Sequence, residues 1–129
     1  MQFILDDPGE LIVRFRGAER FWALKKQIVL PRERIVSMRW HEQFVSPHRI
    51  WRVIGTGAPG ALYAGRFRAN ENPYFIYVKR PNRGFWAFDE APHVLEIEAR
   101  NDGGGVTTIL LSAPPEEAQT LLSWYIATK

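Results

Sequence analysis

Gly55, Gly57 and Gly60 stand at the spacing G-x-G-x-x-G within Val53-Ile54-Gly55-Thr56-Gly57-Ala58-Pro59-Gly60-Ala61-Leu62. In a dinucleotide-binding turn, such glycines let the backbone approach a pyrophosphate seated at a helix N-terminus. Lys79 and Arg80 would then be the candidates for gripping a 2′-phosphate. That chemistry requires a packing helix directly after the glycines. Gly65 and the turn formers from Asn70 to Pro73 leave too little chain for one. The competing expectation is that the glycines permit a bend or bulge between strands.

The histidines are His41, His48 and His93. His41 and His48 occupy a polar stretch with Glu42 nearby, but not at the helical or hairpin spacing of a zinc site. A Ser-His-Asp triad needs no adjacency in sequence, yet no G-x-S-x-G elbow is present to suggest one. Glu96 and Glu98 lie two residues apart in an alternating segment and therefore share a strand face. Paired carboxylates can run acid–base chemistry when their environments split their pKa values. The alternation assigns them instead to the solvated face of a half-buried strand. The expectation is thus no catalytic residue, no cofactor and no metal.

The best candidate binding surface is basic and aromatic: Arg49, Trp51 and Arg52 from one segment, Arg66 and Arg68 from the next. Lys79, Arg80 and Arg83 add a basic turn. The arginine fork suits phosphate and carboxylate partners. Residues 1–84 carry 15 Lys/Arg against 7 Asp/Glu, whereas residues 85–129 carry 2 against 7. This asymmetry is compatible with a basic face for phosphate or anionic lipid. The arginines equally serve to solvate the outer faces of strands. Nucleic acid is not an expected partner, because the charge density is too low and no recognised motif is present.

These residues need elements to hold them. Leu11 to Arg16 predicts a strand with Val13 and Phe15 on one face and Arg14 and Arg16 on the other. Phe21 to Leu24 with Ile28 to Leu30, Ile35 to Trp40, Arg49 to Ile54, Tyr63 to Phe67 and Tyr74 to Val78 extend the β pattern. His41 to Pro47 is expected to be a loop. Phe85 to Phe88 and His93 to Ala99 follow, and Asn101-Asp102-Gly103-Gly104-Gly105 is the strongest hairpin turn, leading into Val106 to Leu111.

The chain ends differently. Ser112-Ala113-Pro114-Pro115-Glu116-Glu117 is a helix start, with Ser112 as a possible cap and acids where the helix dipole favours them. Ala118, Leu121, Leu122, Tyr125 and Ile126 then form one apolar stripe. The expected architecture is a single domain over 1–129, mainly β (α+β). About seven antiparallel strands form a bent sheet or partly open barrel, closed by a helix over 114–127 that plugs the open end.

The order of these motifs resembles the bacterial pleckstrin-homology-like (PH-like) domains. Three segments carry the resemblance: Phe21-Trp22-Ala23-Leu24 leading to Val29-Leu30-Pro31-Arg32-Glu33-Arg34-Ile35-Val36-Ser37-Met38; Gly55 to Gly60 with Gly65-Arg66-Phe67; and Ile109 to Ala118 before the closing helix. The resemblance implies seven strands plus a C-terminal helix, small soluble proteins and no enzyme activity. It implies no commitment to phosphoinositides, and a fold does not settle function.

The leading expectation is a PH-like binding or assembly module that self-associates or takes a protein partner. The alternative is an anion- or membrane-surface binder using the Arg/Lys set. A dinucleotide enzyme is the remote third. With no Cys, no basic region at the N-terminus and no apolar run near the roughly 20 residues of a membrane span, the expected location is the cytoplasm.

Overall fold

The computed structural model describes residues 1–6, 9–17, 27–58, 62–69, 72–79, 87–101 and 103–127, with backbone only for 46–58, 62–63, 69 and 87–90. Among them lie eight strands: β1 (Gln2–Asp6), β2 (Glu10–Arg14), β3 (Gln27–Pro31), β4 (Ile35–Ala58), β5 (Leu62–Ala69), β6 (Asn72–Lys79), β7 (Ala87–Arg100) and β8 (Val106–Ser112). A 3-10 turn at Arg32–Arg34 precedes β4, and helix α1 (Pro115–Ala127) ends the chain. The expectation of mainly β structure closed by a C-terminal helix holds. Gln2–Asp6, not expected as a strand, pairs antiparallel with β2, while Ile35 to Trp40 and Arg49 to Ile54 fall in the single strand β4.

The strands form two sheets. One is the meander β1-β2-β3; in the other the pairing order is β4-β5-β6-β8-β7, with β7 returning to β4. Strand β4 makes this possible by serving two partners: its residues Ile35 to Trp51 register with β7, and Trp51 to Ala58 with β5. The segment 41–47, expected to be a loop, is therefore strand. Its polar composition misled because the ladder, not the side chains, sets its conformation. Pro47 is tolerated because it falls where the register shifts between Val45 and Ile50, so no ladder donor is demanded there. The antiparallel expectation also needs correction at one pair: β6 and β8 run parallel, with Tyr74 opposite Thr108 and Ile76 opposite Leu110.

Two apolar clusters occupy the two faces of the five-stranded sheet. Phe44, Phe67, Ile76, Val78, Ala91, Val94 and Leu110, drawn from all five of its strands, form one cluster. The other face carries Phe75, Tyr77, Leu95, Ile97, Ile109 and Leu111. Leu11, Val13, Phe15 and Leu30 of the meander pack on it, as do Ala118 and Leu121 of α1. Phe15 sits between rings, 5.9 Å from Phe75 and 5.2 Å from Tyr77. The apolar stripe of α1 finds its partners in this cluster, alongside the meander.

The stripe is also shorter than its spacing suggests. Ala118 and Leu121 are buried, Leu122, Trp124 and Tyr125 partly so, and Ile126 is 69% exposed. Ser112 does not cap the helix: it belongs to β8, where its Oγ accepts from the Lys79 backbone N–H at 2.6 Å. The first helical bond runs from Ala118 N–H to the carbonyl of Pro114 at 3.0 Å. Trp40 fixes the strand-to-helix junction by donating its indole N–H to the Ala113 carbonyl at 2.9 Å.

The meander shows its other face to solvent. Ile4 registers with Ile12 and Ile12 with Val29, giving an apolar row across three strands. Asp6, Glu10 and Pro31 form the row on one side of it, and Gln2, Arg14 and Gln27 the row on the other. Alternation places all three rows opposite the buried Leu11, Val13 and Leu30.

Candidate anion-binding cleft

Strand β5 presents Ala64, Gly65 and Phe67 as buried residues and Arg66 and Arg68 as exposed ones. Two residues apart, the arginines stand on one face with their Cα atoms about 7 Å from each other. Gly65 has a φ of 123° and registers opposite Gly55 of β4 and Ile76 of β6. A side chain there would meet a disfavoured backbone just before the arginines.

Arg66 registers with Phe75 and Arg68 with Pro73, so the floor beside the guanidinium groups is aromatic and proline surface. These four residues line a cleft of about 450 Å³ together with Phe67, Tyr74, Asn101 and Thr107. No carboxylate is among its lining residues that are described. The parallel pairing of β6 with β8 is what carries Thr107 and the Asn101 turn to this place. Asn101 holds the turn: its Oδ1 accepts from the N–H groups of Gly103 and Gly105, both at 3.1 Å, and its amide donates to Thr107 Oγ1 at 3.2 Å. Tyr74 is pushed above the ordinary tyrosine value near 10, chiefly by burial, with the Glu96 and Glu98 carboxylates adding to it and a hydrogen bond with Thr108 opposing. The phenol is engaged with Thr108, so what the cleft offers an anion is the pair of cationic forks.

The rest of the basic set is not assembled here. Lys79 is exposed at the far end of β6, four residues or about 13 Å of strand beyond Phe75. It lines a different cleft, of about 330 Å³, with His93, Ser112 and Glu117. Trp51 and Arg52 register along β5 with Arg68 and Phe67, and Arg49 lies in β4 at the register shift, all three known by backbone alone. Arg80 and Arg83 lie outside the described residues.

The other chemical candidates take different places. Gly55 and Gly57 are inside β4 and register antiparallel with Gly65 and Tyr63, while Gly60 lies outside the described residues. A strand returning through a hairpin follows the glycines, where a pyrophosphate site needs a helix N-terminus, and this removes the geometric basis of the dinucleotide reading. His41 Nε2 is 2.8 Å from Glu96 Oε1, and Arg39 Nη2 donates to Glu98 Oε1 at 3.1 Å. The two acids are therefore paired each to its own base on β4, rather than merely solvated. His93 has a φ of 53°, its carbonyl accepts from Ala113 N–H at 2.9 Å, and its ring lies 5.6 Å from that of Trp40. The side chain of His48 is not among those described. No group of three or more metal-ligating side chains converges among the described residues.

Of the cleft, the sequence pattern marks Arg66 and Arg68 as sharing a face. It misses Asn101 and Thr107 as neighbours, since only a parallel pairing between strands distant in the chain brings them there. Compared with protein-family models, with curated proteins and with solved structures, the chain matches none.

Proposed function

We propose that this protein is a non-enzymatic binding module, of the PH-like kind its motif order resembles, that takes an anionic group on Arg66 and Arg68. The observation that carries the reading is the cleft itself, with two exposed guanidinium groups on one strand face over an aromatic floor. Phosphate and carboxylate both match the planar fork. The spacing of about 7 Å along β5 lets the two forks converge on one tetrahedral anion or bridge two adjacent ones. Among the described lining residues, two cationic forks and an aromatic floor are what binding of an anion asks for.

The test is a titration followed by backbone amide shifts, with inorganic phosphate, pyrophosphate and citrate as separate probes. Saturable shifts confined to β5, β6 and the Asn101 turn are expected. Arg66→Ala/Arg68→Ala should weaken binding at least tenfold, since hydrogen bonds to charged groups contribute about 1.5–3 kcal/mol each. Sedimentation with vesicles containing an anionic phospholipid, at low and high salt, separates a lipid headgroup from a free phosphate as the natural source. Shifts scattered over the surface, or unchanged in the double variant, would overturn the reading. Among the described residues no helix is long and apolar enough to cross a membrane. The expected cytoplasmic location belongs to the same proposal. Self-association, the other role expected of such a module, calls on a different surface.

A further inference from the structure

The solvent face of the β1-β2-β3 meander is patterned in a way that a lone surface does not require. Ile4 and Ile12 are half-buried and Val29 is 42% exposed, and they lie side by side across all three strands. On β2 itself, Glu10 sits two residues to one side of Ile12 and Arg14 two residues to the other. Asp6 of β1 joins the acidic side through its register with Glu10. Among the described residues, β1 and β3 each pair only with β2, so the face ends in two strand edges.

We infer that this face is a contact between two copies of the chain, related by a two-fold axis lying along the Ile4–Ile12–Val29 row. Rotation about that axis stacks the apolar row on itself and reverses the strand direction of the second copy. Each Glu10 then lies over Arg14 of the other chain, and each Arg14 over Glu10. The contact is isologous and self-complementary, as two-fold interfaces must be. The alternative two-fold, along the strands, sets Arg14 on Arg14 and Glu10 on Glu10, a repulsive arrangement. Aligned stacking of two twisted sheets is a common packing, and the rows are compatible with it.

The size of the face sets the strength. Three strands about 4.8 Å apart and five residues at about 3.3 Å each span roughly 14 by 17 Å. That is well below the roughly 800 Å² per partner of a standard stable interface. The dimer is accordingly weak and forms where the chain is concentrated.

Sedimentation equilibrium of the full chain from about 10 μM to about 1 mM, the span of weak interfaces, tests this. A reversible monomer–dimer equilibrium is expected, and Ile12→Glu should abolish it while leaving the far-UV circular dichroism unchanged. Arg14→Glu and Glu10→Arg should each weaken association about tenfold through like-charge contacts. Their combination swaps the charges in both copies and should restore association to within about threefold of the original. A chain that stays monomeric throughout, a dimer untouched by Ile12→Glu, or a double variant no tighter than the singles would overturn the inference. If Ile12→Glu unfolds the chain, the three charge variants decide alone. Phosphate-induced shifts at Arg66 and Arg68 are read independently, so failure of one proposal is distinguishable from failure of the other.

Discussion

The guanidinium carbon of Arg32 lies 3.8 Å above the centre of the Tyr125 ring, and its Nε donates to the Tyr125 carbonyl at 3.1 Å. The same tyrosine donates its hydroxyl to the Val36 carbonyl at 2.9 Å. A residue in the 3-10 turn before β4 thereby holds the last turn of α1, 93 positions away, against the start of β4.

Tyr125→Phe should cost about 1 kcal/mol, the net worth of one hydrogen bond. Arg32→Ala should cost about 1–2 kcal/mol, by losing the bond to the carbonyl and the stacked cation. Arg32→Lys should recover less than half of that loss, since a lysine cannot stack its plane on the ring and donate to the carbonyl at once. Urea denaturation of the three variants measures the series. Equal stability of the lysine and arginine forms would show that the stacked geometry contributes nothing.

Tyr74 gives the fold an alkaline liability. Its phenol titrates above the ordinary value near 10 in the folded state, mainly because of burial. Between the unfolded and folded values the unfolded chain has released a proton that the native one retains. Stability from this group is therefore full below about pH 10 and declines as pH rises above it. Tyr74→Phe removes the titrating group. Thermal melts between pH 9 and 11, a window about one unit either side of the ordinary tyrosine value, should converge for the variant and the parent as pH rises. Parallel curves across that range would exclude Tyr74 as the cause.

Asn101 closes the β7–β8 hairpin by accepting two backbone N–H groups at once. Asn101→Ala leaves both donors to water and should cost about 1–2 kcal/mol. Gly104, at a φ of 87°, lies in the region that L side chains avoid, so Gly104→Ala should cost about 1 kcal/mol despite open space around it. Because Asn101 and Thr107 line the anion cleft, Asn101→Ala should also loosen phosphate binding several-fold. Amide exchange in β8 and the phosphate titration read the two effects separately.

Leu110 is fully buried, and Ile126 at the end of α1 is 69% exposed. Leu110→Ala should therefore cost about 2–5 kcal/mol through transfer and cavity terms. Ile126→Ser should stay within about 0.5 kcal/mol, as surface substitutions do. A large loss from Ile126→Ser would mean that the helix end is covered in solution.

Much of this molecule was legible in the order of its residues. The alternation of His93 to Ala99, the Asn101–Gly105 turn and the stripe of α1 are local signals, set by side-chain period and turn chemistry within a few residues. Arg66 and Arg68 share a face for the same reason. The tertiary structure decided what depends on distant partners. It made strand of the polar His41 to Pro47, because β7 supplies the ladder. It drew β1 into a meander, ran β6 parallel to β8 and packed the helix into the cluster that the meander shares with the second sheet. It also divided the basic set, setting Arg66 and Arg68 on one cleft and Lys79 on another. Composition records that a residue is charged. Only the register between strands far apart in the chain decides which charges meet.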